Sequence, residues 1–318
     1  IKEANAKLAT LRSAIFQVIV GQERLVDRLI IALLCQGHVL LEGVPGIAKT
    51  LAANTLSHAL ALDCKRIQFT PDLLPSDLIG TLVFNPKDAT FFVQKGPIFT
   101  NIVVADEINR APPKVQSALL EVMQEGQVTI GRESLQIENP FLVIATQNPI
   151  EHEGTYPLPE AETDRFMMKV KVDYPKLAEE KEIVRRMCHF ERPKMPQAVL
   201  GKEEIVLFRK LLDAIYIDEK VLSYIINIVF ATRYPKEAKL DIGPLLDWGA
   251  SPRASIYLVQ ASKAHALISG REYVTPFDVK QVAYDVLRHR LILSYEAEAQ
   301  ELKPEDILDQ IFEKIAVP

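Results

Sequence analysis

A chain of 318 residues, 48% hydrophobic and only 7% aromatic, is long enough for two ordinary domains and apolar enough to bury a core in each. Its 37 basic and 42 acidic residues leave a formal charge of −5, which argues against a general nucleic-acid binder, a class that needs Lys and Arg in excess. Cys35, Cys64 and Cys188 form no CxxC pattern and read as small buried hydrophobes, not as a disulfide framework or a zinc site.

The longest apolar stretches, at 29–34 and 221–231, fall short of the roughly 18 residues that a membrane span requires, so a soluble, cytoplasmic protein with no membrane span is expected. The sequence starts at Ile1 and not at Met, so something upstream is expected to have been removed, and no targeting signal can be read.

In chain order, the apolar run at 39–41 reads as a buried strand. Gly43, Val44, Pro45, Gly46, Ile47, Ala48, Lys49 and Thr50 follow it, and Leu51 begins a helical run to residue 60. Strand, glycine loop, Lys-Thr and helix are the context that a phosphate cradle needs. Backbone N–H groups wrap the phosphates, Lys49 reaches the β and γ phosphates, and the Thr50 hydroxyl ligates Mg²⁺. The final Gly of the usual pattern is Ala48 here, which is tolerable where the backbone is already helical.

Residues 79–84 and 91–93 flank a turn-rich centre and predict a hairpin; 127–130 and 135–137 predict a second. Between them a buried strand at 102–105 ends in Asp106 and Glu107. As a bare pattern this also suits a helix N-cap. Downstream of a phosphate loop it supplies what hydrolysis requires: Asp106 for the Mg²⁺ shell, and Glu107 to orient and deprotonate water. A further strand at 141–145 leads to Asn148, either a turn former before Pro149 or a fixed amide that positions water.

Alternating strands and helices predict a parallel α/β sheet up to about residue 195. The stretch 191–196, with two prolines and no apolar period, marks the boundary, and 196–318 reads as a helical domain with no convincing strand. Ser251-Pro252, Thr275-Pro276 and Pro304-Glu305-Asp306 mark helix starts there. His38, His152, His189 and His289 have no metal-site spacing, and His289 reads as a structural or surface residue.

The ordered set GVPGIAKT, VVADEINRAPPKVQSALLEVMQEGQVTIG, IATQNPIEHEGTYPLPEAETDRF and GASPRAS closely resembles the MoxR family of AAA+ ATPases. The resemblance covers nearly the whole chain, and Ala48 is usual in that family. It implies an α/β AAA+ core, 1–195, carrying a helix-2 insert and a pre-sensor-1 hairpin, and an all-α lid, 196–318. It places Val20, Gly21 and Gln22 near the adenine, makes Asn148 sensor 1 and Arg253 sensor 2, and matches Arg165 to an arginine finger. Arg253 falls in the first turn of its helix, where the dipole disfavours a cation, and a γ-phosphate partner would explain that placement. For Arg165 a salt bridge with Asp164 or Glu162 is the alternative. Arg110 is placed near a subunit boundary without a role.

The resemblance further implies ATP and Mg²⁺ as cofactors, a homo-oligomeric, hexameric ring, a client protein that is remodelled or receives a metal or cofactor, and a partner with a von Willebrand factor A domain. The rivals are a DNA-directed motor, for which Lys87, Lys95 and Arg132 on the hairpins speak and the acidity does not, a magnesium-chelatase-like subunit, and a scaffold without turnover.

Overall fold

The computed structural model describes residues 1–44, 46, 49–149, 154–188 and 194–318. Pro45, Ile47, Ala48, His152 and His189 lie outside the described residues. The strands of the first half are β1 (Val39–Glu42), β2 (Cys64–Gln68), β3 (Gly80–Asn85), β4 (Thr90–Lys95), β5 (Ile102–Asp106), β6 (Gln127–Ile130), β7 (Glu133–Gln136), β8 (Leu142–Gln147) and β9 (Met168–Lys171). β2, β5, β8, β1 and β9 form, in that order, one parallel sheet.

Successive side chains of a strand point to opposite faces, and here both faces are covered. Val39, Leu41, Ile102, Val104, Leu142 and Ile144 pack with the helices Glu23–Leu34 and Lys49–Ala59. Leu40, Val103, Ala105, Val143 and Ala145 pack with the helix Pro113–Glu125. This is why the central strands read as unbroken apolar runs. Because they run in one direction, Glu42, Asp106 and Gln147 come out along a single edge, with Glu42 in register with Gln147 and Asp106 with Gln68. Open parallel sheets place their ligands at that edge.

The helices Lys202–Ala214, Glu219–Arg233, Pro252–Ile268, Pro276–Leu287 and Pro304–Lys314 make the lid. The first apolar cluster runs on into it through Phe208, Ile228, Leu258 and Val282. Fully buried Asp285 of the lid pairs with Arg24 and Arg28 of the core, each at 2.7 Å. The lid differs from the expected all-helical unit by one small antiparallel pair, β10 (Leu246–Trp248) with β11 (Ile292–Leu293), too short to carry a period. Ser251 precedes its helix as expected, but its hydroxyl bonds Asp164 at 3.2 Å instead of the helix backbone.

Both expected hairpins are present, β3 with β4 and β6 with β7. The neck of the first is pinched by two glycines. A Cβ on Gly80, whose φ is +98°, would lie 2.2 Å from the Gln94 carbonyl, and one on Gly96 would lie 2.1 Å from that of Leu78. At the turn of the second hairpin Gly131 leaves room for Leu82 of the first, so the two hairpins touch.

Under the sheet, His38 is buried, with Nε2 3.1 Å from the Met123 carbonyl and Nδ1 accepting from the Val143 N–H at 3.0 Å. Burial pulls its pKa from 6.5 down to about 4. The unfolded chain therefore binds a proton below about 6.5 that the folded chain refuses until about 4, so stability falls as pH drops through that window. The loss should reach about 3 kcal/mol at its lower end. Urea titrations of wild type and His38→Gln from pH 7 to 4 should show this share of the slope missing in the variant; parallel slopes would remove His38 as its cause.

Candidate active site

Lys49, the first residue of the helix Lys49–Ala59, sends Nζ to the Gly43 carbonyl just after β1 at 2.6 Å. Gly43 is tied to the neighbouring strand through its N–H to Gln147 O at 3.3 Å. Burial lowers the Lys49 pKa, and the carboxylates of Asp106, Glu107 and Glu42 oppose that shift. A half-buried cation facing carboxylates across an open space is what an anionic ligand would complete.

Asp106 and Glu107 at the end of β5 are held differently. Asp106 Oδ1 accepts from Thr146 Oγ1 at 2.6 Å, and the same hydroxyl accepts the Glu107 N–H at 2.9 Å, so one buried threonine of β8 fixes both. Glu107 is left-handed, at φ 57° and ψ 52°, a conformation that costs a non-glycine residue about 1 kcal/mol or more and persists only where the surroundings impose it. Its Oε2 accepts from Gln68 Nε2 at 2.8 Å and lies 3.3 Å from Arg110 Nε. Arg66 Nη2 reaches Asp106 Oδ2 at 2.6 Å and Gln68 Oε1 at 3.0 Å. Edge strand β2 thus holds both acids.

A cavity of about 360 Å³ is lined by Gly46, Lys49, Thr50, Leu51, Arg66, Asp106, Glu107, Thr146 and Asn148. A second, of about 280 Å³ and mostly apolar, shares Gly46 and Leu51 with it and is lined by Val18, Ile19, Val20, Gln22, Pro175, Ile183 and Met187. A polar chamber with one lysine opens beside an apolar slot, which matches a phosphate chain attached to a flat, weakly polar base. Gly21 lies between Val20 and Gln22 with φ +64°, where a Cβ would meet the Glu179 carboxylate at 2.7 Å. Val44 packs against the first apolar cluster.

Residues 38–168 match the ATPase family associated with various cellular activities (AAA), and residues 239–311 match the AAA lid domain. The chain is 47% identical to the chaperone MoxR1 of Mycobacterium tuberculosis, over 98% of its own length and 84% of that protein's. With the protein YeaC of Bacillus subtilis it shares 42% identity, over 95% of this chain and 92% of the relative. The chain belongs to the MoxR family of AAA+ ATPases. The crystal structure of a candidate ATPase from Cytophaga hutchinsonii, 48% identical, matches this MoxR chain with a TM-score of 0.94 over 99% of it and 96% of that chain. Like its family, this MoxR-type AAA+ protein is an ATP-hydrolysing P-loop enzyme with an α/β core and a helical lid.

Of the residues expected from the sequence, Gly46, Lys49, Thr50, Leu51, Asp106, Glu107 and Asn148 meet at the first cavity, and Val20 and Gln22 line the second. Arg253 does not line either. Its Nη1 pairs with Asp164 Oδ2 at 2.9 Å, so a carboxylate stands beside the cation at the unfavourable end of its helix. The salt bridges considered for Arg165 are not formed: Asp164 is taken by Arg253 and Arg290, and Glu162 Oε1 accepts from Ser117. Arg165 is half-exposed beside them.

Sequence reading missed Arg66, Gln68 and Thr146, and the apolar wall of Pro175, Ile183 and Met187. Arg66 and Gln68 are two apart on one strand and so share a face; that alternation was the available signal. For Thr146 the only clue was its place at the end of a buried run.

Proposed function

We propose that this MoxR-type ATPase works as a hexameric ring that uses Mg²⁺ and ATP to remodel client proteins or insert a metal or cofactor into them, alongside a von Willebrand factor A partner. The first hairpin carries the reading. Leu82, Phe84, Phe91 and Phe92 are 42%, 51%, 67% and 49% exposed, and Phe84 and Phe91 pack ring to ring at 5.2 Å. Monomeric proteins rarely leave such a cluster in water, and these residues are not among those lining the nucleotide cavities. A chaperone role is also what the name of the mycobacterial relative says of that protein.

In this reading the backbone at Gly43, Val44 and Gly46 and the Lys49 ammonium hold the phosphates, with Pro45, Ile47 and Ala48 completing the loop outside the described residues. The adenine lies against Val20, Gln22 and Leu51. Thr50 and Asp106 are hard oxygen donors. Among the described residues no group of three or more His, Cys, Asp or Glu could hold a metal alone. That suits Mg²⁺ arriving with the phosphates, where it would neutralise their charge. Glu107 accepts the proton of the attacking water, and the Asn148 amide positions that water.

Arg165 and Arg253 lie together on the edge marked by Asp164, and both are proposed to serve the site of the next subunit. A hydrolysis-arrested Glu107→Gln protein should co-purify client and von Willebrand factor A proteins from its host. The same protein carrying Phe84→Ser, Phe91→Ser and Phe92→Ser should lose them while keeping its bound ATP. Retention by the serine variant, or recovery of nucleic acid in place of protein, would overturn the reading.

A further inference from the structure

Arg290 is a buried guanidinium that lines neither nucleotide cavity, and its side chain is only 1% exposed. All five of its N–H donors are engaged, the full capacity of an arginine. Nε donates to Asp164 Oδ1 at 2.7 Å; Nη2 donates to the carbonyls of Asp164 at 2.9 Å and Phe166 at 2.7 Å. Nη1 donates to the carbonyls of Met167 at 3.2 Å and Val286. Four of the five bonds therefore fall on 164–167, and the two carbonyls on either side of Arg165 share one nitrogen.

The neighbours of Arg290 repeat the grip. His289 Nε2 lies 3.0 Å from the Phe166 carbonyl, and its own carbonyl lies 3.4 Å from the Thr163 hydroxyl, which donates to the Glu160 carbonyl at 2.8 Å. The Tyr257 ring, on the helix that begins beside Arg253, stacks 5.2 Å from the Arg290 guanidinium. Among the described residues nothing comparable holds the half-exposed Arg165 side chain, so the lid fixes the backbone on which that arginine stands and not its guanidinium.

We propose that Arg290 is the positioning residue for Arg165, through which the lid of one subunit sets where its arginine meets the nucleotide of the next. This rests on the reading of Arg165 as a residue acting on the neighbouring site. A carbonyl-bracketing fork cannot be replaced by an ammonium, which offers three donors from one point. The geometric consequence is graded: without Arg290 the Asp164 carboxylate keeps Ser251 and Arg253 and the Phe166 carbonyl keeps His289, but the Asp164 carbonyl loses the guanidinium that ties it to its neighbour.

The test is a double-mutant cycle in the full chain. Arg290→Lys should lower kcat by ~10 to 100-fold, the scale of an ångström-level misplacement, with affinity for a fluorescent ATP analogue within about twofold of wild type. Added to Arg165→Ala, it should cause no further loss, because the residue it positions is gone. Should Arg290→Lys not fold, His289→Phe removes the bond to Phe166 while keeping a ring. Nδ1 has no hydrogen-bond partner, so only one bond is lost. Its smaller loss, about fivefold, should likewise vanish in the Arg165→Ala background.

Multiplying losses, or a matching fall in nucleotide affinity, would overturn the positioning role. If Arg165→Ala itself hydrolyses ATP at the wild-type rate, the reading of Arg165 fails, whatever Arg290 does.

Discussion

Glu107→Gln is expected to bind ATP and keep it uncleaved, whereas Lys49→Ala is expected not to bind it. The Gln amide retains the shape of Glu107 and a hydrogen bond with Gln68, now 2.8 Å away, but it cannot take a proton from water. Loss of a general base costs roughly 10² to 10⁴ in rate. Lys49 is the cation that Asp106, Glu107 and Glu42 face across the cavity. Removing it takes away the charge-assisted hydrogen bonds that a lysine gives to phosphate, so affinity should fall by at least about 100-fold. Equilibrium titration with a fluorescent ATP analogue and single-turnover hydrolysis separate the two. A Glu107→Gln protein that turns over at the wild-type rate would move the base elsewhere, and tight binding by Lys49→Ala would remove the lysine from the phosphate site.

The second large effect belongs to Arg165. The phosphoryl-transfer transition state spreads charge over the γ-phosphoryl oxygens, and a guanidinium arriving from outside the loop is worth on the order of 10³ in rate. Arg165→Ala should therefore bind ATP nearly normally and hydrolyse it poorly. Lys49→Ala subunits have a dead site but an intact Arg165. Mixed rings of the two should regain part of the activity, with a maximum at an intermediate ratio. A straight line between the two inactive proteins, with sizing that shows mixed rings, would exclude action on a neighbour. Arg253→Ala mixed in the same way should rescue as well, since Arg253 pairs with Asp164, the residue next to Arg165 in the chain.

Much of this site was open to a reader of the sequence, because burial writes itself into composition. Residues 102–105 and 142–145 are buried on both faces, so each strand is a continuous apolar run that breaks where the acids and Asn148 begin. The edge strands lack that signature. β2 is Cys-Lys-Arg-Ile-Gln, with exposed Lys65, Arg66 and Gln68, and β9 alternates Met and Val with lysines over only four residues. The residues missed follow from this: Arg66 and Gln68 stand on the strand that composition concealed.

Arg290 was hidden for another reason. Its partners lie about 126 residues away, and a buried, fully bonded arginine looks in sequence like any surface cation flanked by His289. Arg253 shows the limit of a local argument. Its helix end calls for an anion, but that the Asp164 carboxylate, 89 residues away, stands there is visible only once the lid docks onto 160–166.

The two glycines that pinch the first hairpin make it a detachable cassette. Above the neck, side chains from Leu82 to Phe92 are largely in solvent and constrain the body of the ATPase little. At Gly80 and Gly96 even a methyl group would run into a carbonyl oxygen. Hairpins of different sequence and length that keep the Leu82 contact with the second hairpin and the Val93 contact with the core should be tolerated between those two residues, which makes this the point at which one engine would be fitted for different substrates.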